Sequence, residues 1–166
     1  DYPKSAARDQ GLFRLAEYEY ALEQYAASNE HYSAVLQGFP ESKLVPYCLY
    51  GRGWSLLRSQ KFGDAAASFT SLIEKFPKHR LADQALYSRA MSRQQAGDFE
   101  SALVDTQAYL SVEGRTDQEK ADALYVKGLS ELGLKQTDQA ITTLTSVQKM
   151  LPEYGSGDKV LYELAW

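Results

Sequence analysis

Apolar and small residues return along this chain in a phase that no single helix or sheet produces. A Leu is followed at once by an aromatic and three residues later by Gly or Ala. There are five copies: Leu12-Phe13 with Ala16, Leu49-Tyr50 with Gly53, Leu86-Tyr87 with Ala90, Leu124-Tyr125 with Gly128, and Leu161-Tyr162 with Ala165. The Leu-to-Leu steps are 37, 37, 38 and 37 residues. Sixteen residues after each Leu of a full copy stands a small residue (Ser28, Ala65, Ala102, Ala140), and four further on come Tyr32, Phe69, Thr106 or Leu144. A helix breaker then closes the copy at Pro40, Pro77, Gly114 or Pro152. Self-similarity at such a period marks stacked like units in place of one globular core. Only the stretch from Gly114 to Leu124 differs in length, by one residue. An insertion is tolerated where backbone is exposed, so the stretch from breaker to Leu is the connector between units.

Each unit reads as helix A, short turn, helix B. The turn signals are Gly63-Asp64, Gly97-Asp98, and Gly133 followed by Thr137-Asp138. Gly is expected to close helix A in a left-handed conformation, and Asp or Thr to cap helix B. The first unit has no Gly at this turn, around Leu22 to Gln24, which leaves its boundaries least defined. Pro40 and Pro77, each preceded by Phe, end helix B, and Thr116 with Glu119 predicts a capping box on the fourth helix A. Short turns force the two helices antiparallel, and neither is amphipathic enough to stand alone. Gly53, Ala90 and Gly128 on the A helices, with Ala65, Ala102 and Ala140 on the B helices, admit close approach. Leu49, Phe69, Leu72 and their counterparts fill the seam, each burial worth about 1.5–3 kcal/mol.

These residues resemble the tetratricopeptide repeats: the Leu, the Gly or Ala four residues on, the small residue opening helix B, the aromatic four beyond it and the closing Pro. The usual unit has about 34 residues, so these are longer by about three, and Ser28, Thr106 and Gly114 match weakly. The stretches Phe39-Pro40-Glu41-Ser42, Asp64-Ala65-Ala66 with Phe69, Phe76-Pro77-Lys78 and Ala85-Leu86-Tyr87 look like a bacterial envelope subgroup. That subgroup includes the Tol-Pal accessory protein and outer-membrane assembly lipoproteins. The resemblance implies a periplasmic or envelope setting, while the residues themselves leave a cytoplasmic one open. The expected fold is an all-α right-handed solenoid. It forms one array over residues 1–166, with units near 1–40, 41–77, 78–115 and 116–152 and the first helix of a fifth at 153–166.

The aromatic after each Leu is turned about 100° from it on a helix, so it is expected to face away from the Leu seam. Four residues further, on the same face, stand Glu17, Trp54, Met91, Leu129 and Trp166. The resemblance implies that this face of the A helices lines a concave groove for an extended peptide or a partner helix. Candidate contact residues are Phe13, Tyr50, Trp54, Tyr87, Met91, Tyr125, Leu129 and Tyr162, aromatic and Met anchors of the kind that make binding hot spots. The alternative is that these side chains only pack on neighbouring helices. The ladder has no cation, which argues against a clamp for a partner's C-terminal carboxylate for lack of fixed donors.

Composition narrows the picture further. A net charge of -4 and pI near 5.2 argue against a nucleic-acid backbone as partner. No apolar run approaches the roughly 20 residues of a membrane span. Cys48 stands alone and is read as packing. His31, in the first helix B, and His79, in a connector, fit no metal spacing or nucleophile motif. No cofactor, metal or catalytic set is expected. The chain starts at Asp1 without Met and stops at Trp166 inside an expected helix, which reads as a piece of a longer protein. The reading is a non-catalytic protein-interaction module. Its alternatives are a scaffold whose ends or outer face join copies or other subunits, and a docking part of a larger enzyme.

Overall fold

The computed structural model describes residues 6–152 together with 154 and 162. Eight helices are found among them: α1 (Ala6–Ala21), α2 (Tyr25–Gly38), α3 (Val45–Arg58), α4 (Phe62–Lys75), α5 (Arg80–Ala96), α6 (Phe99–Leu110), α7 (Asp117–Gly133) and α8 (Thr137–Met150). The fold is all-helical, in consecutive helix–turn–helix pairs, as the periodicity predicts. Most of the expected fifth unit lies outside the described residues. The chain divides into two compact units, residues 1–92 and 93–166, with the boundary inside α5.

The turn inside every pair is the same device, and it differs from the one expected. Glu23, Gln60, Gly97 and Lys135, spaced as the Leu residues are, all have φ near +60° to +80° (60, 59, 81 and 61°). In the first pair the amide of Glu23 donates to the carbonyl of Tyr20 and that of Gln24 to Glu19, and the same two bonds recur at Gln60 and Lys61, Gly97 and Asp98, and Lys135 and Gln136. This is the Schellman closure, which satisfies carbonyls otherwise orphaned at a helix end. Only the third unit spends a glycine on it. Gly63 instead lies inside α4, and Gly133 is the last residue of α7. Nor do the acids cap: Asp98 occupies the N-cap of α6 without a side-chain cap bond. Asp64 and Asp138 sit in the first turns of α4 and α8, where the helix dipole favours negative charge.

The three proline breakers behave as expected, whereas α6 ends at Leu110 with its C-cap at Ser111, before Gly114 is reached. Phe39, Phe76 and Leu151 precede Pro40, Pro77 and Pro152 and leave the helical region, with φ of -137, -133 and -139°. Proline disfavours helical geometry in the residue before it, so each B helix stops there. The predicted capping box is present: the Glu119 amide donates to the Thr116 hydroxyl at 3.2 Å, and the Thr116 amide to the Glu119 carboxylate at 2.8 Å.

In the first unit, α1, α2, α3 and α4 pack in chain order. Ala16, Tyr32, Val35 and Cys48 form one buried cluster. Val45, Leu49, Leu56, Ala65, Phe69 and Leu72 form the next, joined by Leu81 and Ala85 of α5. Small residues sit where helices come closest, as the pattern requires. A Cβ on Gly53 would stand 2.5 Å from the Phe69 ring, and one on Gly51 would stand 2.6 Å from the Tyr32 hydroxyl oxygen. The Ser28 hydroxyl, at the small-residue position, donates to the Ala16 carbonyl at 2.8 Å and meets the Ser55 hydroxyl at 2.9 Å. That pairing keeps two buried hydroxyls satisfied between three helices.

In the second unit, α6, α7 and α8 pack in the same way around Ala121, Leu144, Val147 and Tyr154. A Cβ on Gly128 would meet Leu144 at 2.6 Å, and one on Gly133 would meet the Phe99 ring at 2.5 Å. Arg93 pairs with the buried Asp105 at 2.7 Å. Arg115 lies over the Tyr109 ring at 3.2 Å and donates to the Tyr109 carbonyl.

Candidate functional site

The ladder residues on α1, α3 and α5 belong to the first unit. Phe13 is half-buried, with its ring 5.9 Å from Tyr32 and 6.4 Å from Tyr47. Tyr50 and Trp54, one turn apart on α3, are half-buried and stand edge-on to each other at 6.2 Å. Both also touch Phe69, at 5.8 and 6.3 Å. The expectation that these aromatics turn away from the seam therefore fails at this position. Gly53 lies between them without a Cβ, so the Phe69 ring reaches the α3 backbone and the two neighbouring rings close over its flanks. Tyr87 and Met91 on α5 are half-buried.

In the second unit, Tyr125 and Leu129 on α7 are half-buried, and Tyr125 packs 6.1 Å from Tyr154. Tyr162 is 63% exposed. Its expected partner Trp166 lies outside the described residues. None of the half-buried candidates disappears into the core: each keeps part of its surface accessible.

A defined hollow occurs on the first unit. Glu17 and Tyr20 of α1, Tyr32 of α2, and Tyr50, Gly51 and Trp54 of α3 line an open cleft of about 450 Å³. Glu17 also borders an adjacent hollow of about 630 Å³ with Gln10, Phe13, Arg14 and Leu44. Tyr32 is the floor residue, 4% exposed. Burial pushes its phenol pKa up, with the nearby Glu17 charge adding to the effect, so it stays protonated. The Tyr20 phenol is likewise raised by burial, against the pull of Arg58. Sequence reasoning placed Tyr32 in the seam and did not assign Tyr20 or Gly51. Comparing the first two repeats position by position would have singled out Glu17, Tyr20 and Tyr32, which stand where the second repeat has Trp54, Leu57 and Phe69.

Little reactive chemistry is arranged here. Burial pushes the Cys48 thiol up to about 12, with the Asp9 and Glu17 charges adding, so at neutral pH it is a packed, protonated thiol. His31 pairs with Glu19 at 2.7 Å. His79 accepts from the Leu81 amide at 3.2 Å and stands edge-on to Tyr47 at 5.1 Å. Among the described residues no group of three or more His, Cys, Asp or Glu is placed to hold a metal, and no helix is long and apolar enough to cross a membrane.

Eight helices in matched pairs, with small residues at each close approach and one repeated closure, define an α-helical repeat protein. Two tetratricopeptide repeat family models match residues 50–110 and 122–153, together more than half of the chain. The chain belongs to the tetratricopeptide repeat family, a fold of protein-interaction modules. Solved structures carry the same fold. The MamA RS-1 ArsTM double mutant superposes with a TM-score of 0.74 at 14% identity, over 95% of this chain and 93% of that one. A tetratricopeptide repeat protein from Parabacteroides merdae gives 0.74 at 20% identity, over 96% of this chain and 59% of that one. TTC0263, a thermophilic tetratricopeptide repeat protein of Thermus thermophilus, gives 0.58 at 20%, over 95% and 88%. No curated protein matches the chain.

Proposed function

We propose that this chain is a non-catalytic binding module whose A-helix face holds an extended peptide or a helix of a partner protein, with its repeats acting as one array. The observation that carries the reading is the open cleft on the first unit, with Tyr50 and Trp54 presenting part-buried rings to it. Rings already held on one side by Phe69 lose little freedom when a ligand covers the other, which is the property of a binding anchor. Setting in a bacterial envelope is the narrower part of the proposal and rests on the subgroup resemblance of the Phe39-Pro40-Glu41-Ser42, Asp64-Ala65-Ala66, Phe76-Pro77-Lys78 and Ala85-Leu86-Tyr87 stretches.

The test is selection from a displayed peptide library, followed by affinity measurement with Tyr50→Ala, Trp54→Ala and Tyr87→Ala. Loss of an anchor should weaken binding at least about tenfold for Trp54→Ala, with helicity retained. Selected ligands whose affinity is unchanged in all three variants would remove the A-helix face from the reading.

A further inference from the structure

The cleft on the first unit is polar in a one-sided way: its lining residues are a carboxylate, three tyrosines, a tryptophan and a glycine, without a cation. Glu17 is exposed and forms no hydrogen bond or ion pair among the described residues. Tyr32, nine-tenths buried, lines the same cleft, and no hydrogen bond to its hydroxyl is formed within the described chain. Neighbouring cations are occupied or set apart. Arg58 donates to the Tyr25 hydroxyl at 3.1 Å and lies 5.3 Å from that ring. Arg52 donates to Ser68 at 3.0 Å and borders a separate hollow with Asp64. Arg14 lines the adjacent hollow without pairing to Glu17.

A site that offers an unpaired carboxylate, phenol oxygens and aromatic faces, with no cation in its lining, has the elements that attract one. We propose that this cleft is a socket for one basic side chain, lysine or arginine, projecting from the partner protein. The alkyl stem would run against Tyr50 and Trp54, and the charged head would meet Glu17 with the Tyr32 hydroxyl as a further acceptor. Charge complementarity selects the occupant. An apolar side chain would cover the Tyr32 hydroxyl without bonding to it and gain nothing from Glu17, and an acidic one would be repelled by Glu17. The corresponding seam one repeat on does not offer this chemistry, since Trp54 and Phe69 replace Glu17 and Tyr32 there. The inference rests on the peptide-binding reading and assigns one subsite within it.

Three capped amino acids serve as probes: N-acetyl-lysine methylamide, its arginine counterpart and the uncharged norleucine analogue. Each is titrated into the nitrogen-labelled chain while the Trp54 indole N–H signal is followed, assigned by its absence in Trp54→Phe. The lysine and arginine probes should shift that signal, and should bind about three- to thirtyfold more weakly in Glu17→Gln or at raised ionic strength. Tyr32→Phe should weaken them by a smaller factor. The norleucine probe should bind least and be indifferent to Glu17→Gln. Glu17 is a surface residue, so Glu17→Gln should keep its helical circular dichroism. Equal binding of norleucine and lysine, an unaltered lysine titration in Glu17→Gln, or no shift with any probe overturns the proposal. Library peptides that depend on Trp54 yet need no basic residue and ignore Glu17→Gln would sink this subsite while leaving the A-helix face as the binding surface. Insensitivity to Tyr50→Ala, Trp54→Ala and Tyr87→Ala alike would sink the broader reading instead.

Discussion

Two corresponding seams of the first unit are built on one plan and finish differently. Phe13 lies 5.9 Å from Tyr32, and Tyr50, its counterpart one repeat on, lies 5.8 Å from Phe69, the counterpart of Tyr32. Up to that ring pair the seams match. They part at the next rung, where Trp54 covers Phe69 at 6.3 Å and Glu17 covers nothing. Phe69 is fully buried in consequence, and the hollow beside Tyr32 stays open. A repeat therefore converts from structural joint to candidate binding site by exchanging two side chains, with the backbone plan unchanged.

Substitutions at the two buried ring positions give the largest expected effect. Phe69→Ala deletes a ring with no exposed surface and should cost about 3–5 kcal/mol, read from the shift of the urea midpoint. Tyr32→Phe removes only a hydroxyl that has no hydrogen bond within the described chain, and should stay within about 0.5 kcal/mol of the parent. A large loss from Tyr32→Phe would mean that the hydroxyl is a structural acceptor or donor, and the contrast between the seams would fall.

Adding a methyl group at the two close approaches sharpens the same contrast at smaller scale. Gly53→Ala pushes a Cβ to within 2.5 Å of Phe69, which is held between Tyr50 and Trp54 and cannot tilt away. The expected loss is about 1–3 kcal/mol, even after alanine's better helix propensity is counted. Gly51→Ala meets Tyr32 instead, whose ring has the cleft to move into. Stability should change less than in Gly53→Ala, while the cleft narrows and the Trp54 response to the lysine probe declines. Equal destabilisation by both substitutions would show that Tyr32 is as tightly confined as Phe69.

The repeat plan was legible because its signals are local and recur. Leu spacing, the small residues and the prolines each act on their own turn of helix, and all sit where the period placed them. Two things escaped. One is the turn: Gln60 and Lys135 carry no outward sign of a left-handed backbone, since the Schellman bonds that hold them there come from carbonyls three and five residues back. Gly63 and Gly133, which do carry such a sign, serve other ends. The other is the cleft, which depends on what three helices leave unfilled between them. A one-helix projection predicted that Tyr50 would turn from the seam, and it could not register that Gly53 lets Phe69 come up beneath both Tyr50 and Trp54. The identities of Glu17 and Tyr32 were visible in the chain, but the open cleft they share is a property of packing.

The smallest expected effects lie at the turns, and they test whether the difference between the seams is confined to side chains. Glu23 closes the first pair and Gln60 the second at almost the same left-handed angle, φ of 60 and 59°. A non-glycine residue there crowds its own Cβ at a cost of about 1–2 kcal/mol, part of which glycine returns through greater freedom in the unfolded chain. Glu23→Gly and Gln60→Gly should therefore each stabilise by about 0.5–1 kcal/mol, and by similar amounts. Gly97→Ala, at φ of 81°, should lose about 1 kcal/mol. Urea midpoints for the three variants decide it. Similar gains in the two pairs would place the divergence in the seam side chains alone. A gain at Gln60 with a loss at Glu23 would show that the first pair is held in a backbone geometry of its own, so that its open cleft would owe as much to the turn as to Glu17 and Tyr32.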